Sequence, residues 1–193
     1  MRLNRRHALQ LIVTASGALL FFTRRAAALE RESNGYYLTG SAVRVKHVGP
    51  FSAKVYAISH FMRELPATKS KQAVIALDTD KALSWRLLRD LEPKQIRGAL
   101  EEGFAKNGYT DHAKIALFLG AFTKPLSEGA SVQITYASGA QATTVKVSGD
   151  GTATVPGVDF MRGTWSIWFG QNDQSDLGDS LIRRIPDSPK AGG

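Results

Sequence analysis

Two adjacent runs of strand-forming residues constrain the fold of this chain more than any other feature. Residues 41–48 and 52–63 are rich in Val, Tyr, Ile and Phe, and the turn residues Gly49 and Pro50 lie between them. β-Branched and aromatic residues favour strands, and a short Gly/Pro segment favours a reversal of the chain. The sequence therefore predicts two consecutive antiparallel strands joined by a turn.

The rest of the chain alternates between strands and helices. Helices are predicted at residues 92–107, 110–123, 160–169 and 177–185. Strands are predicted at residues 73–77, 131–137, 143–148 and 152–155, whereas residues 81–91 fit a strand or a helix equally well. This order predicts an α+β domain in which helices cover one antiparallel sheet.

Composition excludes several classes of protein. The chain has no cysteine, so disulfides, thiolate metal sites and cysteine nucleophiles are absent. Its formal net charge is +8, but residues 1–28 carry five arginines and no acidic residue, which leaves +3 on the remainder. The charge therefore gives little support to nucleic-acid binding, and no nucleic-acid partner is predicted.

The first 28 residues have the layout of a bacterial export signal. A charged start precedes the apolar residues 9–22 and the small residues 26–28, and Arg5 and Arg6 resemble a twin-arginine motif. The alternative is an uncleaved anchor, although the apolar run is shorter than the roughly 20 residues that span a bilayer. The sequence predicts a signal peptide at 1–28, a periplasmic domain at 29–185 without a stable membrane span, and a disordered tail at 186–193.

The chain shows no motif for a metal or an organic cofactor. His47, His60 and His112 are spaced as neither a helical nor a hairpin ligand pair, and no acidic cluster accompanies them. Phosphate-binding loops, dinucleotide fingerprints and nucleophile elbows are also missing from the sequence. We therefore predict no cofactor and no metal.

Four segments occur in an order that is similar to the chalcone isomerase-like family. They are GSAVRVKHVGPFSAKVYAISHF from residue 40, KALSWRLLRDLEPKQIRGALEEGFAKN from 81, FLGAFTKPLSEGASVQITYASG from 118 and WSIWFGQNDQSDLGDSLI from 165. The resemblance extends over residues 37–184. It implies an open-faced β-sandwich, in which a layer of helices covers a large antiparallel sheet and a ligand cleft lies between them.

The same resemblance implies that most of the catalytic residues of the plant isomerases are missing. The catalytic Arg matches Arg44, but the strand Thr falls on Tyr56 and the catalytic Tyr falls near Leu91 and Glu92. The Thr and Met that close the cleft fall on Ile167 and Trp168, and no position matches the catalytic Lys. No catalytic residue is therefore assigned.

Noncatalytic members of the family bind fatty acids, with an Arg and a Tyr at the carboxylate. Arg44 and Tyr56 resemble that pair, and Trp168 is a third candidate ligand contact. The resemblance favours a periplasmic protein that binds a small amphipathic carboxylate, such as a fatty acid. Two alternatives stay open: an isomerase in which Arg44 polarises an enone, and a structural or partner-binding protein.

Each of these three residues also has a purely structural interpretation. Strand alternation places Arg44 on one face with Ala42 and Lys46 and opposite Val43, so periodicity alone predicts an arginine exposed to solvent. Tyr56 has the residue type of an ordinary strand aromatic, and Trp168 lies at helical spacing from Trp165, as core residues do.

Overall fold

The fold is built on one antiparallel sheet. The computed structural model describes residues 29, 32 and 34–187, so the predicted signal peptide and residues 188–193 of the predicted tail lie outside the described residues. Six strands of the described chain pair in sequence order. They are β1 (Tyr37–Val48), β2 (Phe51–Met62), β3 (Lys81–Leu87), β4 (Ser131–Ala137), β5 (Ala142–Val147) and β6 (Thr152–Pro156).

Helices cover one face of this sheet. They are α1 (Lys71–Ala76), α2 (Pro93–Lys106), α3 (His112–Leu119), α4 (Val158–Phe169) and α5 (Leu177–Leu181). Along β4 the buried residues Val132, Ile134 and Tyr136 alternate with more exposed ones, which marks a single buried face. The predicted α+β architecture, a sheet covered by a layer of helices, is confirmed.

Local signals in the sequence explain the start of the longest helix. Pro93 occupies the first turn of α2, where the missing N–H has no intrahelical partner to lose. Glu92 and Gln95 form a capping box, in which the Glu92 side chain accepts from the Gln95 backbone N and Gln95 Oε1 accepts from the Glu92 backbone N at 3.0 Å. These contacts satisfy the free donors at the helix start, so α2 begins where predicted.

The prediction of a strand at residues 73–77 is wrong, because this segment forms α1. Ser70 caps the helix by accepting from the Ala73 backbone N at 3.1 Å. At the other end, the buried Lys81 Nζ donates to the carbonyls of Val74 and Leu77, at 2.8 and 2.9 Å. A lysine that binds the last carbonyls of a helix replaces their missing partners. The ambiguous residues 81–91 begin with β3, whose Lys81 provides this contact.

A buried chain of hydrogen bonds joins the sheet to α4 and α5. Trp165 Nε1 donates to His60 Nε2 at 2.9 Å, and His60 Nδ1 lies 2.7 Å from Thr39 Oγ1. Thr39 Oγ1 in turn donates to the Leu181 carbonyl at 2.8 Å. Burial, together with the charge of Lys81, holds the pKa of His60 well below its ordinary value. The imidazole is therefore neutral, with its hydrogen on Nδ1, and links strands and helices inside the core.

Candidate ligand-binding site

An open cavity lies between strands β1, β2 and β3 on one side and helices α2 and α4 on the other. Its volume is about 380 Å³, within the range of about 300–1,000 Å³ that small-molecule sites occupy. Apolar side chains form most of its wall: Val55, Trp85, Leu87, Ile96, Leu100 and Ile167. The cavity can therefore accept an apolar group of moderate size.

A β-bulge directs two consecutive residues of β2 toward this cavity. The pairing of β1 with β2 runs from Arg44 opposite Tyr56 to Val45 opposite Lys54, so Val55 is left without a partner in β1. Val55 and Tyr56 both line the cavity, although ordinary alternation would place them on opposite faces. Bulges commonly reorient side chains beside functional sites.

Tyr56 is held by two tryptophans. Its ring stacks on Trp85 with a centroid separation of 4.7 Å and an interplanar angle of 9°. Its hydroxyl oxygen accepts from Trp168 Nε1 at 3.0 Å. Trp168 is only 1% exposed yet lines the cavity, so it is a core residue and a wall residue at once.

Burial raises the pKa of the Tyr56 phenol above its ordinary value, although the Trp168 hydrogen bond and the nearby Arg44 charge oppose the shift. Tyr56 is therefore a protonated phenol at neutral pH. Its oxygen accepts from Trp168, and its hydroxyl hydrogen has no acceptor among the described residues, so this hydrogen can donate to a group in the cavity.

Arg44 lies beside Tyr56 and forms an ion pair with Asp173, a residue that follows α4. Its Nη1 donates to the Val45 carbonyl at 2.7 Å and to Gln174 Oε1 at 3.4 Å. Burial would raise the pKa of Asp173, but the charge and hydrogen bond of Arg44 outweigh burial and lower it. Asp173 is therefore a carboxylate bound to the guanidinium at the cavity wall.

Gln174 fixes this contact in place. Its Oε1 accepts from the Val45 backbone N at 2.9 Å, and its Nε2 donates to the Val43 carbonyl at 3.1 Å. Both groups belong to β1, the first strand of the described sheet, whose other edge pairs with β2. Gln174 thus covers part of a free strand edge and holds the adjacent Asp173 against Arg44.

The expectation from periodicity that Arg44 is exposed to solvent is wrong. Its side chain is 18% exposed, Lys46 also lines the cavity, and Ala42 packs against the core. Val43, on the opposite face, is the more exposed residue, at 37%. Helices cover the face that carries the arginine, and alternation alone cannot tell which face they cover.

Further cations lie around the cavity. Lys46, Arg89 and Lys106 line it, and Lys106 Nζ pairs with Glu102 at 2.7 Å. Lys46 and Arg89 form no ion pair with any residue in the described part of the chain. Arg89, Lys106 and Asp173 were not predicted from the sequence to line a cavity. Only Lys46 had a usable signal, since it alternates with Arg44 on one strand face.

The structure brings the three predicted ligand contacts together. Arg44, Tyr56 and Trp168 all line the cavity. Leu91 and Ile167, which occupy positions of catalytic or cleft-closing residues in the plant isomerases, line it too, whereas Glu92 caps α2. That Arg44, Tyr56 and Trp168 contact a ligand stays a prediction.

Two other features of the described residues bear on function. Residues 29, 32 and 34–187 contain no cluster of three or more His, Cys, Asp or Glu side chains arranged for a metal ion. None of their helices has the length and hydropathy needed to cross a bilayer.

Comparison with known proteins identifies the family. A family model described as chalcone isomerase-like matches residues 24–181, whereas no curated protein is significantly similar to the chain in sequence. Among solved structures, the crystal structure of a fatty-acid binding protein from Arabidopsis thaliana is similar, with a TM-score of 0.64 and 15% identity. The match covers 79% of this chain and 89% of that one. The fold is thus the one that the sequence resemblance implied, and the chain belongs to the chalcone isomerase-like family.

Proposed function

We propose that this protein binds a small amphipathic carboxylate, such as a fatty acid, in the cavity beside Arg44 and Tyr56. One observation carries the proposal: a guanidinium and a protonated phenol lie next to each other at the wall of an apolar cavity of about 380 Å³. The similar fold of the Arabidopsis fatty-acid binding protein supports it.

The chemistry of the two side chains suits a carboxylate. A guanidinium offers several N–H donors in one plane, and a hydrogen bond from a charged donor to a carboxylate is stronger than one between neutral groups. Tyr56 adds one neutral donor, because its hydroxyl hydrogen has no acceptor among the described residues. The ligand's head group therefore binds between β1 and β2.

The apolar wall suits the rest of the ligand. Each buried methylene group contributes about 0.8 kcal/mol, or about a fourfold gain in affinity. We therefore expect affinity to rise with acyl-chain length until the chain fills the cavity, and then to level off.

Asp173 affects how a ligand binds Arg44, because its carboxylate already pairs with this guanidinium. A bound carboxylate either shares the guanidinium with Asp173 or displaces it. Lys46 and Arg89, which have no ion-pair partner among residues 34–187, add positive charge that favours an anionic ligand.

The isomerase alternative has less support. Arg44 could polarise an enone carbonyl, but the positions that match the other catalytic residues hold Tyr56, Leu91, Ile167 and Trp168. The raised pKa of Tyr56 also makes its phenol a poor general base. The alternative of a purely structural protein with a filled cleft has less support still, because an open cavity remains beside Ile167 and Trp168.

We also propose that the protein works in the periplasm after removal of residues 1–28. The charged, apolar and small-residue segments of this region support export. The family match begins at residue 24, and all of the proposed ligand contacts lie beyond residue 28.

Native mass spectrometry of the protein purified from the periplasm tests the proposal. The wild type should carry an added mass equal to an acyl-chain acid, and the polypeptide mass should correspond to a start near residue 29. Arg44→Ala should lose the ligand, because hydrogen bonds to a charged group are worth about 1.5–3 kcal/mol, or roughly 10- to 150-fold in affinity.

Arg63→Ala is the matched control. Arg63 lies just beyond β2 and also pairs with an aspartate, Asp80, at 3.1 Å, but it does not line the cavity. It should keep the ligand. Bare wild-type protein that also fails to take up added fatty acids would overturn the proposal. Turnover of a chalcone that disappears in Arg44→Ala would favour the isomerase instead.

A further inference from the structure

The first residue of β2, next to the turn from β1, is the most exposed large apolar residue of the described chain. Phe51 is 76% exposed, compared with 51% for Leu117 and 37% for Val43. Single exposed apolar residues are common in soluble proteins and need no explanation by themselves. Three features distinguish Phe51 from such residues: the shape of the hairpin around it, the charge of that hairpin and its position next to the cavity.

The first feature is the shape of the hairpin. β2 pairs with β1 along its whole length, but its ladder with β3 begins only at Tyr56. Residues 51–55 have no partner in β3, although Leu88, just beyond that strand, donates its backbone N to the Val55 carbonyl. The end of the hairpin, residues 46–54, therefore extends past the rest of the sheet; we call it the hairpin tip.

The second is charge. Residues 33–63 contain no Asp or Glu, so both strands of the hairpin carry only positive charges. Lys46 and Lys54 in the tip are exposed, and neither forms an ion pair with a residue of the described chain. Arg89, which lines the cavity together with Lys46, is also exposed and without such a pair.

The third is position. Lys46 and Ala53 belong to the hairpin tip and line the cavity, together with Arg44 and Tyr56 farther along the same strands. Whatever binds the tip therefore lies next to the cavity wall that Arg44 and Tyr56 share.

We propose that the hairpin tip docks on the surface of an anionic lipid bilayer, with Phe51 inserted among the acyl chains and Lys46, Lys54 and Arg89 against the head groups. An exposed aromatic side chain flanked by cations is the arrangement with which proteins bind a membrane interface without spanning it. The uniformly positive hairpin is complementary to a negative surface. Docking in this orientation brings the cavity-lining residues Lys46 and Ala53 next to the bilayer, where acyl chains are found.

The docking does not depend on what the cavity holds. Vesicle binding is measured without any added ligand, so it can fail while ligand binding persists, and ligand binding can fail while docking persists. The two proposals are therefore distinguishable.

Flotation with vesicles tests the docking. Binding to vesicles of phosphatidylglycerol and phosphatidylcholine in equal amounts should exceed binding to pure phosphatidylcholine. Phe51→Ser should lower the partition coefficient about tenfold, and Lys46→Ser and Lys54→Ser should each lower it about fivefold. All variants carry the same N terminus, because the apolar residues 9–22 would bind vesicles themselves if present.

Leu117→Ser is the matched control. Leu117 is the second most exposed large apolar residue described, and it lies on α3, which packs against β6 at the far edge of the sheet from the hairpin. It should leave the partition coefficient unchanged. A further variant, Phe51→Trp, reports on the tip directly, since a tryptophan there should shift its emission to the blue and be quenched by brominated lipids.

Three results would overturn the proposal. The first is an equal partition coefficient for wild type, Phe51→Ser and Leu117→Ser. The second is a Phe51→Trp emission that vesicles leave unchanged. The third is concentration-dependent self-association without vesicles that Phe51→Ser abolishes, which would assign the tip to a contact with a second copy of the chain.

Discussion

Replacing Asp173 with Asn tests whether this carboxylate competes with the ligand for Arg44. Asn keeps the size of the side chain and an oxygen that can accept from the guanidinium, but it removes the negative charge. A ligand carboxylate at Arg44 would lie close to Asp173, so the two anions repel each other in the wild type. We therefore expect Asp173→Asn to bind a fatty acid more tightly.

The size of the gain follows from the exposure of the site. Two unit charges about 4 Å apart interact by about 4 kcal/mol at an effective dielectric constant of about 20. The Asp173 side chain is 43% exposed, however, and Arg44 is 18% exposed. Solvent screening at such a site reduces the interaction to about 1 kcal/mol, or roughly a fivefold gain in affinity.

Isothermal titration with a fatty acid and with the alcohol of the same chain length separates charge from packing. The acid should bind Asp173→Asn about fivefold more tightly than wild type, and affinity for the alcohol should stay the same. Asp179→Asn is the control, because Asp179 pairs with Lys71 at 3.1 Å and does not line the cavity. Weaker binding of the acid by Asp173→Asn would refute the competition and assign Asp173 to positioning Arg44. An equal gain for the alcohol would refute the electrostatic cause.

Two further predictions concern Tyr56 and Lys81. Tyr56→Phe leaves Trp168 Nε1 buried without its acceptor, so urea unfolding should show a loss of about 1–3 kcal/mol; an unchanged free energy of unfolding would contradict this hydrogen bond. Burial lowers the pKa of Lys81 to about 7 from its ordinary 10.5, so the unfolded chain binds more protons between these values. The free energy of unfolding should therefore rise between pH 7 and pH 9, by at most about 1.4 kcal/mol per unit. Lys81→Met should remove this contribution, and an equal rise in both proteins would contradict it.

The elements that the sequence predicts well have signals within a few residues. Gly49, with a φ of +57°, and Pro50 form the turn between β1 and β2, and Pro93 with Gln95 marks the start of α2. The prediction of a strand at residues 73–77 is wrong because five consecutive apolar residues show no periodicity that would distinguish a strand from a helix. Besides the Ser70 cap, Lys81 stabilises the helical form, and no local pattern predicts its burial against three backbone carbonyls.

The candidate site was predictable only in part, for a similar reason. Arg44 and Tyr56 are cross-strand neighbours, so a predicted hairpin together with the family resemblance was enough to place them side by side. Asp173 and Gln174 reach Arg44 from 129 and 130 residues away along the chain. Contacts at that separation depend on how α4 packs on the sheet, which the sequence pattern does not specify.

That packing links the core to the candidate site. Trp165 and Trp168 lie three residues apart on α4, and their indole nitrogens donate to His60 and Tyr56, both on β2. Two directional hydrogen bonds therefore dock the helix on a single strand, one inside the core and one at the cavity. Because regular elements hold side chains more precisely than loops do, Tyr56 and Trp168 are held in a fixed geometry. Asp173 follows the end of α4 in an irregular segment that Gln174 binds to β1, so a ligand that displaces its carboxylate from Arg44 need not disturb Tyr56 or Trp168.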